Sequence, residues 1–351
     1  MSTTPDPSSG AGTGPAAADF FERNVTERPE IIAGLIREGQ IGVLGGTYGV
    51  GKSPLLADLI EHVLNGRTWL GRAVRGRPVI SIDFETSGPV YKRNIRNIAA
   101  RLGVTSPRTP DELDAYLELD DLSEPGTAKL FAAMRGNRRD RLKLLEDALR
   151  PKPNALVLID SPETLFNLDT AKRTDVQACY FDLRELLCRC AEAAMLLSFN
   201  LRKRERKGTP PNLLTDPRAW LEEICGSIAI LDRCDVRLGM DFHDSDGIKV
   251  INGVRRGEDM HPMLIRSVGD KPENYAGFEL VLPTDPDLEQ AFTPQQKAHW
   301  DKLPCEFGFE DIADKTVPRS SLSRLIARAK SFGLMTYDEA TKRYRKLGTR
   351  C

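Results

Sequence analysis

The sequence lacks an overall charge, cysteine pairs spaced for a metal, and long apolar runs. It has 351 residues, and 50 Lys and Arg against 51 Asp and Glu leave a net charge of −1. No global basic field draws it to a polyanion, so nucleic-acid contact must come from local patches. Its seven cysteines are Cys179, Cys188, Cys190, Cys225, Cys234, Cys305 and Cys351. Their number is odd and none form a C-x-x-C pair, which argues against a structural zinc site or a disulfide framework and fits a reducing cytoplasm. No apolar run approaches the roughly 20 residues of a membrane span, and the N-terminus has no signal-peptide core. A cytoplasmic protein without a membrane partner is expected. The chain is long enough for a large core and two domains.

Residues 1–20 are mostly Ser, Thr, Pro, Gly and Ala and read as a disordered tail. The stretch from Ile41 to Leu56 organises the rest of the chain. Gly46-Thr47-Tyr48-Gly49-Val50-Gly51-Lys52-Ser53 fits the phosphate-loop pattern G-x-x-x-x-G-K-[ST]. Ile41 to Leu44 precedes it as a buried strand would, and Leu55, Leu56, Leu59, Ile60 and Val63 follow at helical spacing. Strand, glycine loop and helix together wrap backbone N–H groups around a polyphosphate. Lys52 is expected to reach the β- and γ-phosphates of ATP, and Ser53 to ligand Mg²⁺. Pro54 falls in the first helical turn, where its missing N–H costs little.

Three apolar runs behind the loop end in polar residues. Val79–Phe84 leads into Glu85, Ala155–Ile159 into Asp160, and Ala194–Phe199 into Asn200. Ligands in open α/β sheets sit outside the carboxyl ends of strands. Glu85 is the expected base or orienting group for the attacking water, with Asp83 and Glu163 as alternatives. Asp160 has the position of the Mg²⁺-binding aspartate of a Walker B strand. Asn200 suits a γ-phosphate sensor or is an ordinary strand end. Arg202, Lys203, Arg204, Arg206 and Lys207 then form a basic loop, either a contact for a nucleic-acid backbone or a solvated surface. The β–α alternation from 41 to 257 predicts a doubly wound, mainly parallel α/β fold.

In this order the features resemble the RecA-like ATPases of the plasmid RepA replicative helicase type, kin to the DnaB helicases and AAA-type P-loop proteins. The lead-in Arg28-Pro29-Glu-Ile-Ile-Ala-Gly-Leu-Ile shares the likeness, which covers roughly residues 25–285, and residues 21–285 read as one ATPase domain. The resemblance implies a ring, usually a hexamer, with ATP between subunits. It gives Glu85 the catalytic role, Asp160 the Walker B role, and Arg255 or Arg256 the arginine finger that reaches a neighbour's γ-phosphate. Loops after the later strands would grip single-stranded DNA. The chain departs from the pattern at Asn200, where many relatives have His, and at Gly253, where DnaB-type proteins have Lys.

Residues 286–294 read as a linker, and 295–351 as a small winged-helix domain. Pro318 to Gly333 has the pattern of a recognition helix, with Leu322, Leu325, Ile326 and Ala329 inward and Arg319, Ser320, Ser323, Arg324 and Arg328 outward. Residues 291–351 hold twelve Lys and Arg against seven Asp and Glu, a net +5 in a nearly neutral chain. That asymmetry points to duplex DNA, although winged helices also bind proteins. The expectation is an oligomeric Mg²⁺-dependent ATPase acting on DNA, a replicative helicase or its loader. The alternatives are an ATP-switched DNA-binding regulator and a recombination or repair ATPase of the same fold.

Overall fold

A computed structural model describes residues 27–104, 116–117, 132–201, 211–224, 229–243, 247–255, 258–260, 262–281, 291–332, 334–338 and 342–346. The tail, the basic run Arg202 to Lys207, Gly226-Ser227, Arg256 and the first half of the linker lie outside the described residues.

A short antiparallel pair, β1 (Glu30–Ile32) and β2 (Ile36–Arg37), leads into β3 (Ile41–Gly46), the phosphate loop and α1 (Lys52–Leu64). Then come β4 (Val79–Asp83), α2 (Gly88–Arg101), β5 (Tyr116–Leu117), α3 (Arg138–Leu149), β6 (Leu156–Asp160), α4 (Pro162–Phe166), α5 (Arg173–Arg189) and β7 (Ala194–Asn200). Two short helices, α6 (Pro217–Leu221) and α7 (Ala229–Arg233), precede β8 (Val236–Phe242) and β9 (Lys249–Arg255). The strands β10 (Glu258–Asp259), β11 (Met263–Ser267) and β12 (Phe278–Leu280) complete this part.

The sheet runs β12-β11-β9-β8-β3-β7-β6-β4-β5, with β10 paired to β9. From β8 to β5 the neighbours are parallel, and β9, β11 and β12 add on antiparallel. Parallel strands covered on both faces read as unbroken apolar runs, and β3 and β6 are buried throughout. Successive residues feed opposite cores. Val43, Val157 and Leu197 pack with α3 and α5, whereas Leu44, Leu158 and Leu196 pack with α1 and α2. This is the expected doubly wound arrangement.

Two features depart from the sequence reading. The antiparallel extension continues past residue 257 through β11 and β12, whose mixed Met-Leu-Ile-Arg-Ser and Phe-Glu-Leu sequences carry no clean period. Cys179, Cys188, Cys190 and Cys234 are free, but Cys305 is disulfide-bonded.

The C-terminal piece has its own core around Trp300, Phe292, Leu322, Leu325 and Ala329. Its elements are α8 (Pro294–Lys302), β13 (Glu306–Gly308), α9 (Phe309–Ile312), α10 (Arg319–Ser331), β14 (Met335–Asp338) and β15 (Arg343–Lys346). Thr293 caps α8 in reciprocal bonds with Gln296. The strands form an antiparallel sheet in the order β13-β15-β14. The sequence reading missed β13; it is three residues long and only Phe307 in it is buried.

Candidate nucleotide site

The loop between β3 and α1 owes its shape to glycines. Gly49 and Gly51 have φ of 78° and 103°, a region that side chains rarely adopt. These angles let the chain turn tightly between β3 and α1. Tyr48 projects from it, 89% exposed.

Lys52 turns back over the loop. Its Nζ donates to Gly46 O at 3.1 Å, Thr47 O at 3.3 Å and Asn200 Oδ1 at 2.8 Å. The side chain is largely buried, and burial lowers its pKa against the pull of Asp160, Glu85 and Glu163. An ammonium set on neutral oxygens is arranged to receive an anion. Asn200 stands on β7, which lies between β3 and β6 in the sheet. Ser53 Oγ donates to Asp160 Oδ2 at 2.6 Å.

Beside them β4 ends in a turn built by Asp83. Its Oδ1 accepts the N–H groups of Glu85 at 2.8 Å and Thr86 at 2.9 Å. Burial, helped by Asp160, pushes the Asp83 carboxyl up to about 6. Glu85 itself is exposed at the mouth of the site. Its pKa is raised by burial first and by Asp160 second, and Lys52 opposes both. Glu163, at the start of α4, is pushed up to about 7, chiefly by burial.

Arg255 lies elsewhere. It pairs with Val236 at the start of β8, whereas the phosphate loop is at the far end of the parallel strands. The length of β9 at about 3.3 Å per residue separates the two ends by about 20 Å. Arg255 donates to Glu30 Oε1 at 3.1 Å. It cannot reach the phosphate loop of its own chain. The sequence reading missed Lys249, which begins β9 and comes next to Gly51. Nothing in its strand-like surroundings marks it, because only the pairing of β9 with β8 carries it there.

The positions expected to face DNA are exposed on α10. Ser323 and Arg324 stand open, with Arg324 bonded to Ser320 O. Arg319 is held by Glu310 and Asp314, and Arg328 donates to Ala291 O and lies over the Phe332 ring.

A family model described as an AAA domain matches residues 11–205. The chain belongs to this AAA domain family. Its AAA domain has a RecA-like P-loop core, with the strand bearing Asn200 between the phosphate-loop and Asp160 strands, and the chain is a nucleotide-dependent ATPase. Similar solved structures include the RadB recombinase, 16% identical with a TM-score of 0.43 over 70% of this chain and 91% of that one. Another is a KaiC-like protein of the hyperthermophilic archaeon Pyrococcus horikoshii OT3, 12% identical with a TM-score of 0.43 over 72% and 93%. No curated protein matches the chain. Among the described residues no helix is long and apolar enough to cross a membrane.

Proposed function

We propose that the chain is a Mg²⁺-dependent ATPase that works on DNA as a hexameric ring, in the pattern of the RepA-like ATPases, as a replicative helicase or its loader. The observation that carries the hydrolytic part is the grouping of Lys52, Asn200, Ser53 and Asp160, with Glu85 at its mouth. Among the described residues no cluster of three or more His, Cys, Asp or Glu could hold a metal alone. That suits an ion that keeps much of its water, and the Ser53–Asp160 pair fits it: the hydroxyl as ligand, the carboxylate holding a bound water. Mg²⁺ supplies neutralisation of charge across the β- and γ-phosphates when bound. Lys52 and Asn200 orient the terminal phosphate, the loop N–H groups hold the chain of phosphates, and Glu85 takes the proton of the attacking water.

A ring is supported by Arg255, which has no route to its own site and is the finger for a neighbour's. It would exchange Glu30 for a γ-phosphate, and Glu30 keeps Arg37 at 3.3 Å. Arg256 is the alternative finger. Arg255→Ala is expected to lower turnover about a thousandfold with ATP affinity unchanged. Mixing Arg255→Ala with Lys52→Ala protein is expected to restore part of the rate, because a mixed interface joins an intact loop to an intact finger. Full activity in both Arg255→Ala and Arg256→Ala proteins would remove the shared-site ring.

The C-terminal piece has the helix and strand order of a winged helix, and its charge of +5 supports contact with duplex DNA. Arg319, Arg324 and Arg328 are each bonded inside this piece, which leaves few exposed groups, Ser320 and Ser323 among them, to read bases. So thin a reading surface favours the motor over an ATP-switched regulator. The basic run Arg202 to Lys207 would grip single strands. Turnover should therefore rise about tenfold with single-stranded DNA. Alanine at Arg202, Lys203, Arg204, Arg206 and Lys207 should abolish that rise and flatten its salt dependence, by about 0.7 in log–log slope per lost phosphate contact. A rate indifferent to single strands would move the reading to the regulator. Stimulation without strand separation would move it to a recombination or repair ATPase.

A further inference from the structure

The two flanks of the phosphate loop are unlike. On one side of β3 stand β7, β6 and β4, whose ends bring Asn200, Asp160 and Glu85. Among the described residues, the groups that the ATP-site reading assigns to the terminal phosphate and its metal, Asn200, Asp160 and Glu85, are on this side. On the other side stand β8, β9, β11 and β12. A nucleotide laid along the loop with its γ-phosphate toward Asn200 and Glu85 therefore runs its nucleoside end toward this second flank.

That flank brings a cation to the loop. Lys249 Nζ lies 3.2 Å from where a Cβ on Gly51 would stand, with Phe278 Cζ at 3.6 Å and Met240 Cε at 3.7 Å. The ammonium sits 5.0 Å from the Phe278 ring centroid and makes one long bond, 3.4 Å, to Ser267 Oγ. Among the described residues no carboxylate pairs with it, and burial lowers its pKa. A half-buried ammonium held by an aromatic face and a distant hydroxyl is poorly compensated until an anion arrives.

The loop also has a deficit on this flank. The first turn of a helix offers free N–H groups to an anion. Lys52 and Ser53 each have one, Pro54 has none, and Leu55 N is already spent on Gly51 O at 3.0 Å. The Pro54 carbonyl is in turn tied to Tyr275 Oη at 2.8 Å, so the proline is fixed in place.

We propose that Lys249 binds the α-phosphate of the nucleotide held in its own subunit, in place of the backbone donor that Pro54 lacks. The inference rests on the ATP-site reading above. It assigns Lys249 to the part of the nucleotide common to ATP and ADP, and Lys52, Asn200 and Glu85 to the part that only ATP has. Lys249 thus holds the product as firmly as the substrate and acts on affinity rather than on the chemical step.

The test is equilibrium binding of ATP and ADP to the full chain, by displacement of a fluorescent nucleotide, together with kcat and KM. Lys249→Ala and Lys249→Met should each weaken ATP and ADP alike by about tenfold, the scale of one charged hydrogen bond. Each should leave kcat at saturating ATP within about twofold, while Lys249→Arg keeps most of the affinity. The methionine variant preserves the stem over Phe278, so equal losses in both variants assign the effect to charge. Pro54→Ala in the Lys249→Ala background should recover part of the ADP affinity by restoring an N–H donor. Unchanged affinities, a loss confined to ATP, or no recovery with Pro54→Ala would overturn the proposal. A wild-type chain that binds neither nucleotide would instead overturn the ATP-site reading itself.

Discussion

Lys52→Ala is expected to lower ATP turnover by about a thousandfold, the scale on which losing one preorganised donor at a developing charge is felt. The side chain is 9% exposed and its ammonium rests on Gly46 O, Thr47 O and Asn200 Oδ1. Those acceptors lock its direction before any nucleotide is present, so its charge is delivered without reorganisation. Alanine leaves the loop N–H groups intact, and they still attract phosphate. Affinity should therefore fall less than turnover. The nucleotide-free protein should not lose stability, because burial already disfavours the charged lysine and its removal lifts that cost. An unchanged melting temperature, weakened nucleotide binding and a near-zero rate would together separate function from folding. Wild-type turnover in purified Lys52→Ala protein would mean that the hydrolytic site lies elsewhere.

The parts of the site that could be read from sequence are those fixed by local chemistry. The glycines of the loop are dictated by backbone angles, and the strands ending at Asp83, Asp160 and Asn200 by burial on both faces. Such strands appear as apolar runs whatever their neighbours. The α10 stripe of Leu322, Leu325, Ile326 and Ala329 was legible for the same reason: one periodic face, one core. The features that could not be read depend on partners distant in the chain. Lys249 comes beside Gly51 through the β8–β9 register, and Arg319 finds Glu310 and Asp314 through the turn before α10. The role of Asp83 also changed in three dimensions. As a strand-end carboxylate it was a candidate base, but its oxygen is spent on the N–H groups of Glu85 and Thr86. It shapes the turn that presents Glu85.

That turn is the reason Glu85→Gln is expected to separate binding from hydrolysis. A general base must be ionised, near the water, and free of competing bonds. Asp83 commits its Oδ1 to the N–H groups of Glu85 and Thr86, and Glu163 is set back at the start of α4, where burial pushes its carboxyl up to about 7. Glu85 is exposed at the mouth, its pKa raised by burial and by Asp160 with Lys52 opposing them. Glutamine keeps its size and removes its basicity, so kcat should fall by about a hundredfold or more. ATP should bind as tightly as before or tighter, because a negative charge facing the γ-phosphate has gone, while ADP affinity stays the same. The pH profile gives an independent reading. The pKa of Glu85 is raised, so activity should decline on acidification at a pH above the ordinary glutamate range, and that limb should vanish from the residual activity of Glu85→Gln. Glu163→Gln, tested beside it, should keep turnover within about tenfold, since a group that only adds to the field around Asp160 touches the water indirectly. Normal turnover in Glu85→Gln with a collapsed rate in Glu163→Gln would transfer the base to α4, and the Asp83 turn would then serve only to close the end of β4.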